Sequence, residues 1–405
     1  MSDEAKVERE GPPAEGEGPR AEGEGPPAEP PRWVRRVAPA DVDWGALVAV
    51  PLLAVLSALI VGAVLIVISE GPGAVLLAYK ALFQGAFVGW GSVSETLLAS
   101  TPLMLAGLSV ALGFRAGLFN IGAEGQMTIG GLTAVIVGVS FEGLPAVVHL
   151  PLALIAGVAG GAVWGLIPGA LRAKTGAHEV ITTIMLNFIA FRSLDYALKQ
   201  PLVQAEGRFD PISEVVPPSA SLPKILTWLP VEGAERLRLN LGFLIALAVA
   251  WLVYWLLFKS TVGFELRAVG ANPSAAKYGG MGVVGAIVLV MAIAGGLGGA
   301  AGANETLGVL GKAFPGFTAM IGFDAIALAL LGRSHPGGVV AASLLFGALR
   351  VGGRTMNTQT EVGIDLIVVI QALIIVFIAA PELVRAIYRV KGGKAAERLT
   401  RGWST

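Results

Sequence analysis

The pattern of hydrophobic and polar positions changes abruptly near residue 46. Residues 46–68 form an uncharged apolar run that is long enough to cross a hydrocarbon core of about 30 Å as a helix. The sequence predicts an all-α integral membrane protein with about ten transmembrane helices. After the first run, the predicted spans are residues 95–113, 121–139, 147–171, 180–198, 240–258, 282–303, 318–332, 336–350 and 364–384.

Lysine and arginine residues in the short connections predict how these helices are oriented, because such residues are retained on the cytoplasmic side. Ten spans with both termini in the cytoplasm leave Arg350 and Arg354 outside, against this rule. The long connection from Lys199 to Leu239 is also expected outside. Four basic groups share the cytoplasmic side: Arg32, Arg35 and Arg36; Arg172 and Lys174; Lys259, Arg267 and Lys277; and Arg385, Arg389, Lys391 and Lys394.

The two ends of the chain differ from its centre. Residues 1–43 are rich in Glu, Gly and Pro and contain almost no aliphatic side chain, so we expect a disordered cytoplasmic tail. Asp3 and Glu4 stand where a signal peptide carries basic residues, which argues against that assignment. We expect residues 44–390 to form the transmembrane domain and residues 391–405 to form a second cytoplasmic tail.

Composition excludes several other classes of protein. Hydrophobic residues make up 54% and charged residues 14% of the 405 positions, whereas about a quarter of a soluble domain is charged. The formal net charge is zero, so the chain lacks the basic excess of a nucleic-acid-binding protein. With no cysteine and three widely separated histidines, we predict no catalytic residue and no metal site.

One polar segment interrupts the apolar pattern. Residues 114–128, FRAGLFNIGAEGQMT, contain Arg, Asn, Glu and Gln between two predicted spans, with glycines interleaved. Polar groups at membrane depth are unfavourable unless they face protein or water, so a broken helix beside a cavity is one interpretation. The other is a cytoplasmic turn in which Arg115 is an ordinary inside charge. Composition leaves both open.

Three separated segments carry a resemblance to a known family: Gly117–Met127, Glu179–Ala190 and Leu266–Met281. In this order they resemble the permease subunits of bacterial ABC importers, the family that includes the ribose and branched-chain amino-acid permeases. The phrase NIGAEGQ is similar to the branch for nucleosides and simple sugars. The resemblance covers residues 44–390, which it identifies as the permease domain.

The resemblance implies a non-catalytic subunit of the bacterial cytoplasmic membrane that moves a nucleoside or simple sugar inward. It also implies three partners: an ATP-binding subunit, a second permease subunit (a homologous chain or a second copy), and an extracytoplasmic solute-binding protein. We expect no cofactor in this chain, with ATP and Mg bound by the partner ATPase. The nearest look-alike of a phosphate-binding loop, around Gly311 and Lys312, lacks the upstream glycine and the hydroxyl residue.

By the same resemblance, Phe264–Met281 is the coupling segment, and the orientation above independently makes it cytoplasmic. Asn is a preferred helix N-cap and Pro suits a first turn, so Asn272 and Pro273 predict a short helix over Ser274–Tyr278. Such a helix could dock in a groove of the ATPase. The residues assigned to this coupling are Arg267, Asn272, Pro273, Ala276 and Lys277.

Polar and aromatic residues within the spans are the candidates for a solute path. Amides can hydrogen-bond hydroxyls or a base, and aromatic rings such as those of Phe188 and Phe314 can stack. Polar residues also fasten membrane helices to one another, so each has a structural alternative. The predicted path residues are Phe119, Asn120, Glu124, Gln126, Asn187, Asn304 and Glu305.

Two other functions remain open from the residues. An ion-coupled secondary transporter could use Glu124, Glu305 and Asp324 as a proton or sodium relay. A membrane-embedded enzyme would need a nucleophile with its base or a metal set, and the sequence shows neither. Association with an ATPase would distinguish the permease from both.

Overall fold

The computed structural model describes residues 44–141, 143–227, 230, 233–360, 362–363, 365–379 and 387–388. These residues are helical apart from connections, in which two isolated β-bridges join Gln204 to Ser213 and Lys224 to Asn240. Nearly all of them belong to one compact unit, Gly45–Lys391. The tails predicted at 1–43 and 391–405 lie outside the described residues, as do the basic groups assigned to them.

Thirteen α-helices occur in the described residues and are numbered here in chain order. A π-helical segment, Glu305–Leu310, continues the tenth of them, and Ala234–Arg236 forms a single 3-10 turn. The helices are α1 Trp44–Glu70, α2 Pro72–Phe87, α3 Trp90–Arg115, α4 Ala123–Ser140, α5 Ala146–Thr175, α6 Glu179–Ala197, α7 Gly242–Lys259, α8 Thr261–Ala271, α9 Pro273–Tyr278, α10 Val283–Asn304, α11 Ile321–Leu331, α12 Pro336–Gln359 and α13 Asp365–Ala379.

Six helical stretches in the described residues are long and apolar enough to cross a membrane, so the predicted all-α membrane protein is confirmed. Each of the ten predicted runs contains a helix, but the count of ten spans stays a prediction, because α4 and α6 are not among the six stretches and α11 and α13 are short. Helix α2 was not predicted. The six stretches are Leu52–Glu70, Trp90–Arg115, Ala146–Thr175, Gly242–Lys259, Val283–Leu310 and Pro336–Gln359.

One predicted boundary was wrong. The run expected to end at residue 350 continues as α12 to Gln359, so Arg350 and Arg354 lie inside this helix rather than in a loop after it. Arg350 forms an ion pair with Asp324 of α11, and both side chains are partly buried. The polar sequence after residue 350 hid the helix, because its apolar residues line only one face.

Helices α4, α5 and α10 pack through glycines at very short distances. A Cβ added to Gly299 of α10 would lie 2.2 Å from the Gly157 carbonyl oxygen of α5, and one added to Gly130 would lie 2.2 Å from the Gly299 Cα. Between lipid-embedded helices, such close contact supplies the dispersion attraction that replaces the hydrophobic driving force. The glycine-rich runs therefore serve helix packing.

Helix α3 lies at the centre of the unit. In its most apolar stretch 83% of the residues are buried, compared with 22% in the corresponding stretch of α5. Leu103, Leu108 and Leu112 are fully covered by neighbouring helices. The polar segment 114–128 begins at the end of this buried helix, so packing of α3 fixes the position of its first residues.

Candidate functional site

The turn after α3 joins two of the segments noted in the sequence. Gly117 has φ +70° and a Cβ there would lie 2.8 Å from the Gly270 carbonyl oxygen of α8, so no larger residue fits. The Arg115 side chain donates from Nε to the Ser334 carbonyl oxygen at 2.8 Å. The polar segment therefore lies directly against the predicted coupling segment and the turn before α12.

Asn120 and Gln126 pair with each other. Asn120 Nδ2 donates to Gln126 Oε1 at 3.0 Å, and Gln126 Nε2 donates to Asn120 Oδ1 at 3.2 Å. The same Oδ1 accepts from the Gly122 backbone N–H at 3.0 Å. Both side chains are buried. In this structure these amides hydrogen-bond to each other and to the backbone of the connection between α3 and α4, and their role in a solute path stays a prediction.

Asn187 fastens α6 to the same connection. Its Oδ1 accepts from the Gly125 N–H at 2.9 Å, and its Nδ2 donates to the Ile121 carbonyl oxygen at 3.0 Å. Such bonds replace those that the backbone loses where α4 begins. The structure thus brings three of the predicted path residues together, Asn120, Gln126 and Asn187.

Glu124 holds the start of α11. Its Oε1 accepts from the Thr318 hydroxyl and its Oε2 accepts from the Gly322 N–H at 2.7 Å. An anion is stabilised at this end of a helix by the exposed N–H groups and the helix dipole. Helix α11 has 11 residues, so it is about 16 Å long, roughly half of a hydrocarbon core. A half-helix that begins on a buried carboxylate has the geometry of a transporter's broken helix.

Asn304 and Glu305 lie elsewhere, where α10 changes to the π-helical segment. π-Helical turns are frequent at functional sites. Asn304 is 2% exposed, and neither its amide nitrogen nor its oxygen has a hydrogen-bond partner in the described part of the chain. Glu305 is also buried, and the charged groups acting on it include Arg350 and Arg354. These two residues form a second buried polar position.

Phe119 occupies a different environment from the other predicted path residues. It is 40% exposed and packs against Phe114, with ring centroids 4.7 Å apart. Of the seven predicted residues, it alone lies on the surface of the connection between α3 and α4. Its role in a solute path stays a prediction.

The short helix predicted after Asn272 is present as α9 and begins at Pro273. Asn272 Oδ1 accepts from the Ala275 N–H at 3.0 Å, which is the predicted cap. Ala276 is buried, whereas Asn272, Pro273 and Lys277 are exposed. Three of the five predicted coupling residues therefore lie in one small helix, and Asn272 caps it.

Arg267, the fifth, packs on an aromatic cluster. Its guanidinium lies 5.3 Å from the ring centroid of Phe258, and that of Arg115 lies 5.6 Å from the same ring. His335 stacks on Phe258 at 5.4 Å and accepts at Nδ1 from the Gly337 N–H at the start of α12. Burial, followed by the charge of Arg115, lowers the pKa of His335 and favours the neutral ring that this bond requires.

A pocket of about 370 Å³ opens between α6 and the loop that precedes α11. Its wall contains residues that the sequence analysis missed, among them Phe191, Arg192, Asp195, Thr318 and Met320. The pair Arg192 and Asp195 was detectable, because two charges lie inside an apolar span. Thr318 and Met320 had no such signal, since their position depends on how the loop folds against α4.

The buried amide pair supports a prediction about stability. Asn120→Ala removes three hydrogen bonds, each contributing roughly 0.6 kcal/mol in a membrane protein, and leaves the Gln126 amide unpaired. We expect a lower melting temperature in detergent than for the wild-type protein. The neighbouring variant Phe119→Ala is the control, because that side chain is exposed. Equal melting temperatures for both variants would contradict the structural role.

The fold and these contacts define a multi-pass helical membrane protein in which the short helix α11 begins on a buried carboxylate and the small helix α9 is exposed. Residues 92–379 match the family described as branched-chain amino acid transport system / permease component. The chain belongs to this family. As a permease component it is the membrane subunit of an ABC transporter, and a partner ATPase hydrolyses ATP. A substrate-binding protein is the other general partner of such permeases.

Three relatives match most of the chain. The guanosine ABC transporter permease protein NupP of Bacillus subtilis is 42% identical over 337 residues, covering 83% of this chain and 94% of the relative. The glucose ABC transporter permease protein TsgB13 of Haloferax volcanii is 37% identical, covering 88% and 92%. The nucleoside ABC transporter permease protein NupB of Lactococcus lactis is 34% identical, covering 86% and 96%. No solved structure matches the chain.

Proposed function

We propose that this chain moves a nucleoside or a simple sugar into the cytoplasm as the permease subunit of an ABC importer. The observation that carries the proposal is the 42% identity with a guanosine permease over 94% of that protein's length. The glucose permease at 37% identity keeps a simple sugar within the proposal.

The proposal includes ten spans in a bacterial cytoplasmic membrane, with the tails 1–43 and 391–405 in the cytoplasm. Two contacts support this topology. Arg115 at the end of α3 bonds to Ser334 after α11, and Gly117 meets Gly270 of α8. The orientation rule assigns all of these positions independently to the cytoplasmic side, so their proximity agrees with it.

We assign coupling to Arg267, Asn272, Pro273, Ala276 and Lys277. Helix α9 would dock on the ATP-binding subunit, which holds ATP and Mg, while a second permease subunit completes the membrane part. Two links lead inward from this surface. Arg267 reaches the start of α12 through Phe258 and His335, and Gly270 meets the segment that leads to Glu124. Movement of α9 would thus reach both ends of the half-helix α11.

Family membership favours this ATP-driven mechanism over the ion-coupled alternative. Two of the three acidic residues of the alternative relay, Glu124 and Asp324, make contacts that also favour the ATP-driven mechanism. Glu124 is engaged with Thr318 and Gly322, and Asp324 is paired with Arg350. A relay would require these carboxylates to exchange protons or sodium with water.

The experiment that tests the proposal is reconstitution with and without the ATP-binding subunit. We expect the purified chain alone to hydrolyse no ATP, and proteoliposomes to import guanosine or glucose only when the ATPase, the partner permease and the binding protein are added. A chain whose uptake follows an imposed proton or sodium gradient without the ATPase would contradict the proposal.

The cap of α9 supports a prediction about coupling. Asn272→Ala removes the bond to the Ala275 N–H and costs the helix about 1 kcal/mol. We expect weaker association with the ATPase, or ATP hydrolysis that is less coupled to uptake, with substrate preference unchanged. Asn272→Ser retains a capping oxygen and is the matched control. The coupling ratio is measured as solute imported per ATP hydrolysed. Equal ratios for Asn272→Ala and Asn272→Ser would exclude this role for the cap.

A further inference from the structure

The pocket between α6 and the loop before α11 has a two-part lining. Phe188 and Phe191 form an aromatic wall, with ring centroids 6.4 Å apart and planes at 88°. Phe188 is 58% exposed, so its ring is accessible from the pocket that it lines. Edge-to-face packing on Phe191 holds that ring in place. The Phe188 ring, set edge-to-face against Phe191, therefore offers a planar apolar group inside a pocket.

The polar part of the lining lies on the same helix. Arg192 Nη1 is 3.3 Å from Asp195 Oδ2, and the two side chains are 87% and 34% exposed. Charges inside an apolar span are unfavourable in lipid and mark solute or ion pathways by default. An aspartate accepts hydrogen bonds from hydroxyl groups, and an arginine donates to carbonyl oxygens or ring nitrogens. Arg192 and Asp195 therefore provide hydrogen-bond partners for a solute that carries hydroxyl groups and a heterocycle.

The base of the pocket is closed by groups that are already paired. Thr318 and Glu124 line it, but they bond to each other and to the start of α11. Ala319 and Met320 follow with φ angles of 46° and 63°, a left-handed conformation that residues with side chains rarely adopt. Such backbone strain is often found at ligand sites. A solute in this pocket would lie against the loop that sets the position of the half-helix.

We propose that this pocket is a nucleoside-binding site on the transport path, with the base stacked on Phe188 and the ribose hydroxyls at Asp195. The inference rests on the proposed function and selects the nucleoside from its two substrate classes. A nucleoside combines a planar heterocycle that can stack on Phe188 with ribose hydroxyls that can donate to Asp195, whereas a hexose has no aromatic ring to stack. The volume of about 370 Å³ is within the range of small-molecule sites.

The first test uses the absence of native cysteine in the chain. Met320→Cys introduces a thiol in the pocket, where Met320 is 60% exposed, and Phe83→Cys is the control on α2, where Phe83 is 59% exposed. In the assembled transporter, we expect guanosine to slow maleimide labelling at position 320 but not at position 83, and glucose to slow neither. Labelling at 320 that proceeds equally fast with and without guanosine overturns the site.

The second test measures uptake. Phe188→Leu removes the stacking ring, whereas Phe83→Leu removes a ring of equal exposure that is paired with Phe87 outside the pocket. We expect guanosine uptake to fall by about tenfold in the first variant, at equal amounts of assembled complex, and to stay unchanged in the second. Unchanged uptake by Phe188→Leu overturns the inference, even if position 320 is unreactive.

The two levels of the proposal fail differently. A transporter that imports glucose but not guanosine overturns the nucleoside site and leaves the proposed permease function in place. A complete complex that imports no nucleoside and no simple sugar overturns the proposed function itself. Guanosine import with loss in Phe188→Leu and protection at position 320 supports both.

Discussion

Gly299→Ala is expected to destabilise the folded transporter strongly, although it adds only one methyl group. The added Cβ would lie 2.2 Å from the Gly157 carbonyl oxygen and 3.0 Å from the Gly161 Cα. Both are backbone atoms, so α5 and α10 would have to separate along their whole contact. Overpacking of a core typically costs 1 to about 3 kcal/mol, and we expect the upper end here because no side chain can rotate away.

Gly285→Ala on the same helix is the matched control. Nothing lies within 4 Å of a Cβ at that position. Because Ala is the better helix former by about 1 kcal/mol, this variant should be neutral or slightly stabilising. The measurement is the yield of monodisperse protein in detergent and its melting temperature. Similar behaviour of the two variants would show that α5 and α10 do not pack as described.

Glu124→Ala is expected to eliminate solute uptake, whereas Glu124→Gln should retain most of it. The alanine variant leaves the buried Gly322 N–H and the Thr318 hydroxyl without their partner, and each unsatisfied buried group costs about 1–3 kcal/mol. The start of α11 would then lose its anchor. Glutamine has the same shape, and its oxygen can accept from Gly322 while its NH₂ donates to Thr318.

This pair of variants also decides between mechanisms. If Glu124 anchors the half-helix, charge is dispensable and shape is required, so Gln works and Ala does not. If Glu124 carries protons or sodium, both variants stop transport, because neither side chain can ionise. ATP-driven uptake in proteoliposomes, normalised to the amount of complex, separates these outcomes. Equal loss in both variants would refute the anchoring role.

Local sequence rules identified several features of this chain correctly. The short helix after Asn272 depends on one side chain and a backbone group three residues away, so its start was predictable from adjacent residues. The apolar runs were predictable for a similar reason, since a lipid-facing helix is recognised by its length and composition alone. Helix α2 was not predicted from the sequence because Lys80 and Gln84 interrupt its apolar residues.

The candidate site was predicted only in part. Asn120, Gln126 and Asn187 were selected for their amides, and the structure shows those amides engaged with each other or with backbone groups. The sequence cannot distinguish an amide that faces a cavity from one that closes a turn. The difference depends on which groups of the neighbouring helices surround the amide in the folded protein. The amide of Asn304, which has no hydrogen-bond partner among the described residues, is the opposite case, and the sequence could not show this either.

The sequence by itself determined the class of protein, since hydropathy, the three motif segments and the glycine runs are properties of short stretches. Tertiary structure alone decided what the polar groups do. Glu124 meets Thr318 and Gly322, which lie almost two hundred positions away, and Arg267 shares the Phe258 ring with Arg115. Nothing in a local pattern encodes such pairings, because they depend on which helices the glycine contacts allow to approach.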